Sequence, residues 1–388
     1  MRMESVYITG SAILCSLGSS LETIVEDIHH QVCKTTDMPI RVAGLDYTRP
    51  HYRIPGAAQD NLADIEKEFY RQLFDTVERA IKDAGLTEAE LVDCALFFGS
   101  TSIDMPMAER SYKHPGQSGG MQISEETPGY GMIINRVAER FGVFGPCYTF
   151  ATACTSSANG LLYAASLIQA GQIERAIVVG YDLYIDVGLL GFESLKLIEP
   201  NGYKPFDKNR VGVIMGEGCG AVILENKRKS AENFRFLGGS NGCDTFNVTT
   251  HNAGGEDIAA VISDALKNCR LSPGDIDAIK AHATGSPVND VTEFNGMKIV
   301  FGDNIPPFTG IKPYVGHTVG ASGVLELVLI TACLTKGFFP ATAGFREVDE
   351  AINARPLTEH LSVNQGNVML NFFGFGGNCT SFIVSNKE

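Results

Sequence analysis

A chain of 388 residues has room for two or three domains, or for one large duplicated α/β body. Its hydrophobic content of 44% and 42 glycines suit an extensive buried core with many tight turns. A formal charge of −14 argues against the basic surface that nucleic acids or anionic membranes require.

The first strand and turn, Val6-Tyr7-Ile8-Thr9-Gly10, begins too early and is too short for a signal peptide. No apolar run approaches the ~18 residues of a membrane span. The ten cysteines include no C-x-x-C pair, so no zinc or thioredoxin-like motif is expected, and reduced thiols in a cytoplasmic protein are. Ser19 to Glu22 and Thr87 to Glu90 read as capping boxes opening helices, and Thr127-Pro128 as a cap residue before a helix-compatible proline. Cys94–Gly99 and Ala176–Gly180 are continuously apolar, as strands of a parallel sheet covered on both faces are. Between them, Tyr148–Ala151 is a short strand and Ala158–Ala170 a helix closed by Gly171.

Ala221–Glu225 closes a first half, and Lys227-Arg228-Lys229 with Glu232 marks a solvated connection. A second series starts near Phe234. It comprises helix Asp257–Asn268, strand Ala278–His282, helix Val291–Phe301, helix Val319–Leu334, and the adjacent strands Val368–Phe372 and Ser381–Val384. Strands and helices alternate throughout, which defines an α/β class. No residue-level repeat is legible.

Four segments carry candidate chemistry. In Thr152-Ala153-Cys154-Thr155-Ser156-Ser157 a strand turns into a helix, and the unpaired N–H groups there favour a thiolate at Cys154. The small neighbours are expected to leave room for a substrate. Taken alone, such a cysteine is more often structural. His282 and His317 lie among Gly, Thr and Ser, yet each by itself is more often a satisfied core or loop histidine. Phe373-Gly374-Phe375-Gly376-Gly377 is glycine-rich without phosphate-loop spacing.

Together these segments resemble the elongating β-ketoacyl-acyl carrier protein synthases of the thiolase-fold superfamily. The resemblance runs over nearly the whole chain. It includes Val6 to Gly18, Asp83-Ala84-Gly85-Leu86, Gly145-Pro146, Lys204-Pro205-Phe206-Asp207 and Gly216-Glu217-Gly218. The order Cys, His, His is that of the elongating class, whereas initiating enzymes carry Cys, His, Asn. The resemblance implies a thiolase-like α/β fold of two similar halves in α-β-α-β-α layers. Residues 1–230 would carry the nucleophile and residues 231–388 both histidines.

It also implies roles. Cys154 accepts the acyl group, with the N–H groups of Cys154 and Phe375 as oxyanion hole. His282 and His317 serve chiefly the malonyl half-reaction, supported by Lys312 with Glu326. Thr284 and Ser286 meet the phosphopantetheine arm; Thr249 and Thr250 share that tunnel or are ordinary loop residues. Phe375 gates acyl and malonyl access, Ile103, Met105 and Phe192 line the acyl pocket, and Asp290 and Glu293 are helix N-terminal charges. No metal or organic cofactor is implied. The implied partners are acyl carrier protein and a second subunit, in a homodimer or in a heterodimer with a related ketosynthase or chain-length subunit.

The sequence departs from the family pattern in several places. Ala283 stands where glycine usually follows the first histidine, and Asn378-Cys379 where Thr-Asn is common; Cys379 is read as structural. The chain is short for the class. Asp60–Glu68 is acidic where a basic docking patch for an acidic carrier is expected, leaving Lys204 and Lys208 as candidates. The resemblance implies fatty acid or type II polyketide or polyene biosynthesis, and the short chain and acidic docking region lean towards the specialised systems. An intact Cys154 argues against a non-catalytic chain-length subunit, and the two histidines against a biosynthetic thiolase.

Overall fold

The computed structural model describes residues 4–42, 45–56, 62–113 and 131–387; Thr127-Pro128, Asp60 and Asn61 lie outside them. The first half contains β1 (Tyr7–Cys15), α1 (Leu21–His29), the ribbon β2 (Thr36–Val42) and β3 (Leu45–His51), α2 (Leu62–Ala84), α3 (Glu88–Val92) and β4 (Ala95–Gly99). It continues with α4 (Met105–Lys113), α5 (Met132–Phe141), β5 (Cys147–Phe150), α6 (Ser156–Gln169), β6 (Arg175–Asp182), α7 (Asp186–Ser194) and β7 (Gly218–Glu225). The second half contains β8 (Arg235–Cys243), α8 (Glu256–Cys269), β9 (Ala278–Lys280), α9 (Pro287–Phe301), β10 (Phe308–Thr309), α10 (Lys312–Val315) and α11 (Ser322–Thr335). A ribbon of β11 (Phe338–Phe339) and β12 (Leu361–Ser362) precedes β13 (Asn367–Phe373) and β14 (Asn378–Ser385).

Ten strands are ordered β10-β9-β13-β14-β8-β1-β7-β6-β4-β5. Only a short contact about Tyr7 and Arg235 joins β1 to β8. Divided there, each half has the same strand order when its strands are counted along the chain: third, second, fourth, fifth, first. The directions match as well, with parallel pairs at the outer end and antiparallel pairs toward the junction. The duplication that residue identity hides is therefore explicit in the topology.

The layers follow from which faces are apolar. Helix α2 covers β1 and β7, and α8 covers β8 and β14. Helices α6 and α11 touch strands of both halves and each other, so they form the middle layer. From Ser322 to Leu334 nearly every residue of α11 is buried, as a helix enclosed on all sides must be. The central core joins Leu161, Ala164 and Ile168 of α6 to Val324, Leu327 and Val328 of α11. No helix among the described residues is long and apolar enough to cross a membrane.

Three expected boundaries move. The first cap is Ser20, whose Oγ accepts from the Thr23 N–H, not Ser19; the Thr87–Glu90 capping box is present. Helix α9 opens four residues early, at Pro287, because Pro suits the first helical position after Ser286. Helix α11 starts at Ser322, after a 3-10 turn at Val319–Ala321.

Candidate active site

The two middle-layer helices bring the distant segments together. Both α6 and α11 follow a 3-10 turn, Ala153–Thr155 and Val319–Ala321 respectively. Their first turns cross so closely that a Cβ on Gly323 would lie 2.1 Å from the Ala158 nitrogen. Glycine is required there by contact, not by dihedral angle. His317 is further fixed by its own backbone: its N–H donates to Ile214 O (2.8 Å), and its carbonyl accepts from the Gly216 N–H (3.0 Å).

At this crossing His317 Nε2 lies 3.0 Å from Cys154 Sγ. The N–H groups of Phe375 and of Cys154 itself point to the same sulfur. His282 meets His317 edge-on, with ring centroids 5.5 Å apart at 86°. The Thr155–Ser157 side chains, expected from their size to leave substrate room, are buried and hydrogen-bonded. Thr155 Oγ1 donates to Thr152 O (2.7 Å), Ser156 Oγ to Ala153 O (2.7 Å), and Ser157 Oγ accepts from the Val324 N–H (3.2 Å). Asn159 ties the turn to β14, donating to Thr152 Oγ1 (2.9 Å) and accepting from Thr380 Oγ1 (2.7 Å).

A buried charge network surrounds the histidines. Lys312 Nζ donates to His282 O (2.7 Å) and to Glu326 Oε1 (2.6 Å), and lies 3.3 Å from His282 Nδ1. Lys312 is fully buried, so this ion pair is no surface salt bridge. An ammonium can only donate, so His282 Nδ1 accepts and its proton sits on Nε2. Glu293 accepts from the N–H groups of His282 (2.6 Å) and Ala283 (2.8 Å). Asp290 accepts from those of Phe206 (2.7 Å) and Gly285 (3.0 Å). Both carboxylates were expected to be helix N-terminal charges, and Asp290 does lie in the first turn of α9; both are also buried, and through these bonds they hold the His282 loop. Burial raises Asp290 to about 6 and Glu293 to about 7.

Burial also sets the resting state of the reactive pair. It pushes the Cys154 thiol up to about 11, against the lowering effects of Lys312 and the two N–H groups. His317 is held well below its usual value by burial, Lys312 and Lys280, and His282 by burial, Lys312 and His317. The standing thiolate expected from the helix start is thus corrected. At neutral pH the pair is thiol and neutral imidazole, and desolvation outweighs the helix terminus.

Backbone strain concentrates at the same place. Ile103, Ala153, Phe206, Ala283 and Val319 all have left-handed φ, at 46°, 51°, 63°, 52° and 46°. Ala283 occupies a conformation that glycine adopts freely, and Gly310 makes room for its methyl, since a Cβ there would lie 2.6 Å away.

Other expected residues divide into two groups. Phe375 stacks on Phe192 (5.3 Å, 14°) beside the cysteine, and Thr284 and Ser286 lie next to His282, buried, with Thr284 Oγ1 accepting from the Ser286 N–H (3.3 Å). Ile103 is buried and Met105 half-buried at the start of α4. Thr249 and Thr250 sit half-buried in the loop whose Val248 O accepts from the Gly376 N–H, and the Thr249 hydroxyl is engaged with Asn247 Oδ1 (3.2 Å). Cys379 is buried and pushed up to about 12, against Gly377 O (3.4 Å) and His251 Nδ1 (3.7 Å). Lys204 and Lys208 are paired with Glu199 (3.3 Å) and Glu347 (2.7 Å). Two residues went unnoticed in the sequence. Asp182 gathers Ser100, Thr101 and Ser102 beneath Cys154, and Lys280 shares Glu326 with Lys312.

A cysteine at one middle-layer helix start, faced by histidines of the other half, is the arrangement of a condensing enzyme of the thiolase-like fold. The Beta-ketoacyl synthase N-terminal domain matches residues 3–230 and its C-terminal domain residues 237–346. The chain belongs to the β-ketoacyl synthase family, whose members are acyltransferases. It is 26% identical to the Arabidopsis thaliana chloroplastic 3-oxoacyl-[acyl-carrier-protein] synthase II, over 98% of this chain and 75% of that protein. It is 28% identical to a 3-oxoacyl-[acyl-carrier-protein] synthase 2 of Coxiella burnetii, over 99% of both. In fold it resembles a chain of the Xenorhabdus doucetiae complex of a ketosynthase with its chain length factor, with a TM-score of 0.87 and 24% identity over 98% of both chains.

Proposed function

We propose that the protein joins an acyl group to a malonyl unit, both delivered as thioesters of acyl carrier protein, by decarboxylative Claisen condensation. The contact of His317 Nε2 with Cys154 Sγ, at a sulfur facing two backbone N–H groups, carries this reading. In the first half-reaction Sγ attacks the acyl thioester carbonyl while its proton passes to His317 Nε2. The tetrahedral oxyanion is held by the Cys154 and Phe375 amides. Collapse breaks the bond to the carrier's sulfur, which takes the proton back from His317.

In the second half-reaction the malonyl thioester oxygen accepts from His282 Nε2–H and, once the remaining His317 proton has shifted from Nδ1 to Nε2 by exchange with solvent, from His317 Nε2–H. The bond to the carboxylate breaks, carbon dioxide leaves, and the electron pair becomes an enolate on that oxygen. The enolate carbon attacks the acyl-Cys154 carbonyl, the C–S bond breaks, and Cys154 takes up a proton. Direct contact with the sulfur gives His317 a part in both steps, so His282 is the residue devoted to the malonyl step. No metal or organic cofactor enters this sequence.

Incubation with acyl-carrier protein followed by mass spectrometry tests the reading. An acyl adduct on Cys154, absent in Cys154→Ala, is expected; no adduct from any acyl donor would sink it. The ion-paired state of Lys204 and Lys208 supports a dedicated carrier rather than one recruited by an open basic patch. The edge strand β5 supports pairing with a second subunit, either a copy of this chain or a related chain-length subunit.

A further inference from the structure

We infer that Lys280 is a positioning residue for the malonyl half-reaction, acting on His282 through Glu326 and Lys312; this rests on the ketosynthase reading above. Lys280 ends β9, a strand otherwise composed of the buried apolar residues Ala278 and Ile279. Its ammonium is wholly enclosed. Nζ donates to Glu326 Oε2 (2.5 Å) and to Asn371 O (2.7 Å), and stands 3.4 Å from the centre of the Phe372 ring. Glu326 therefore gives one carboxylate oxygen to each lysine, Oε2 to Lys280 and Oε1 to Lys312.

That sharing couples Lys280 to the histidine. When Lys280 is charged, two ammonium groups divide one carboxylate, and an unbalanced positive charge remains beside His282 and His317. When Lys280 is neutral, the whole carboxylate charge faces Lys312 and the excess disappears. The charged and titratable groups around Lys280 are Glu326 on α11, Lys312 on α10 and Glu293 on α9, with His282 and His317 feeling its field from the adjoining loops. From β13 it meets only the Asn371 carbonyl and the Phe372 face. A positive field at this point keeps both imidazoles neutral, so that each presents an N–H, and it attracts the charge that develops on the malonyl thioester oxygen. Acyl transfer to Cys154 places its oxyanion at the backbone amides instead, and depends less on this network. Burial brings Lys280 down to about 7, so the excess charge is lost as pH rises through neutrality.

The test uses the intact protein with malonyl- and hexanoyl-pantetheine as probes, measuring carbon dioxide release and acyl-Cys154 formation separately between pH 6 and 9. Wild type should lose decarboxylation rate as pH rises through that range. Lys280→Met should lower decarboxylation about tenfold at pH 6.5, flatten its pH profile, and change acyl-Cys154 formation by less than threefold. Lys280→Gln, which retains a donor but no charge, should behave like Lys280→Met. A folded Lys280→Met with the wild-type pH profile, or equal loss of both half-reactions, would overturn the inference. So would Lys280→Gln matching wild type, since a hydrogen bond alone would then suffice. Absence of carbon dioxide release and of the acyl adduct in wild type itself would instead overturn the ketosynthase reading.

Discussion

The two halves approach the site with the same topology and opposite means. On the N-terminal side, Cys154 is fixed by short hydroxyl and amide contacts from Thr152, Thr155, Ser156, Ser157 and Asn159. On the C-terminal side, buried charges do the fixing: Lys280, Lys312, Glu326, Asp290 and Glu293. The difference follows from what each side must hold. The position of the cysteine is set at close range by these dipoles, while buried Asp182 and Lys312 act on its sulfur only through their fields. Histidines that must stay neutral while a charge forms beside them need a field, and only ions buried out of water keep one.

The contrast can be broken most sharply at the cysteine. With its thiol at about 11, alkylation by iodoacetamide should accelerate about tenfold per pH unit and about a thousandfold from pH 7 to 10. A plateau below pH 8 would mean a standing thiolate and remove the neutral-pair account. The joint between the halves comes next. Gly323→Ala would drive a methyl into the Ala158 backbone, and should cost about 3 kcal/mol in urea denaturation. A loss under about 0.5 kcal/mol would show that the helix crossing has slack. The smallest effect is expected at the His282 loop. Ala283→Gly removes a side chain from a left-handed position and should stabilise by about 1 kcal/mol or less. Clear destabilisation would mean that the methyl's packing against Gly310 outweighs the backbone strain.

Much of this was legible before any coordinates. Strand and helix order, the Cys154 turn and both histidines stood out because apolar runs, caps and small-residue clusters leave local signatures. What stayed hidden depends on distant partners. Asp290 and Glu293 read as helix N-terminal charges, but their burial and their backbone partners at Phe206, Ala283 and Gly285 depend on loops outside that helix. Lys280 did leave a signal, a lone charge inside the run Ala278-Ile279-Lys280-Ala281, but its meaning lies in Glu326, on another helix. The protonation state of Cys154 was misjudged for a related reason: a helix start is visible locally, whereas desolvation is imposed by the whole fold. The two similar halves came from the family resemblance and not from residue identity, because a strand order needs only a burial pattern, which many unrelated residues satisfy.

The amide of Phe375 has a consequence for the life of the chain on the ribosome. It lies in the turn before β14, separated from Cys154 by more than half of the sequence. At typical synthesis rates the thiol emerges roughly 10–45 s before that amide. During this interval the nascent cysteine has neither the Phe375 amide nor the His317 ring that face it in the folded protein. Until the last strands close, Cys154 is an ordinary unburied thiol with a pKa of about 8.5, so a stalled or truncated chain carries a cysteine more ionised at neutral pH than the folded one.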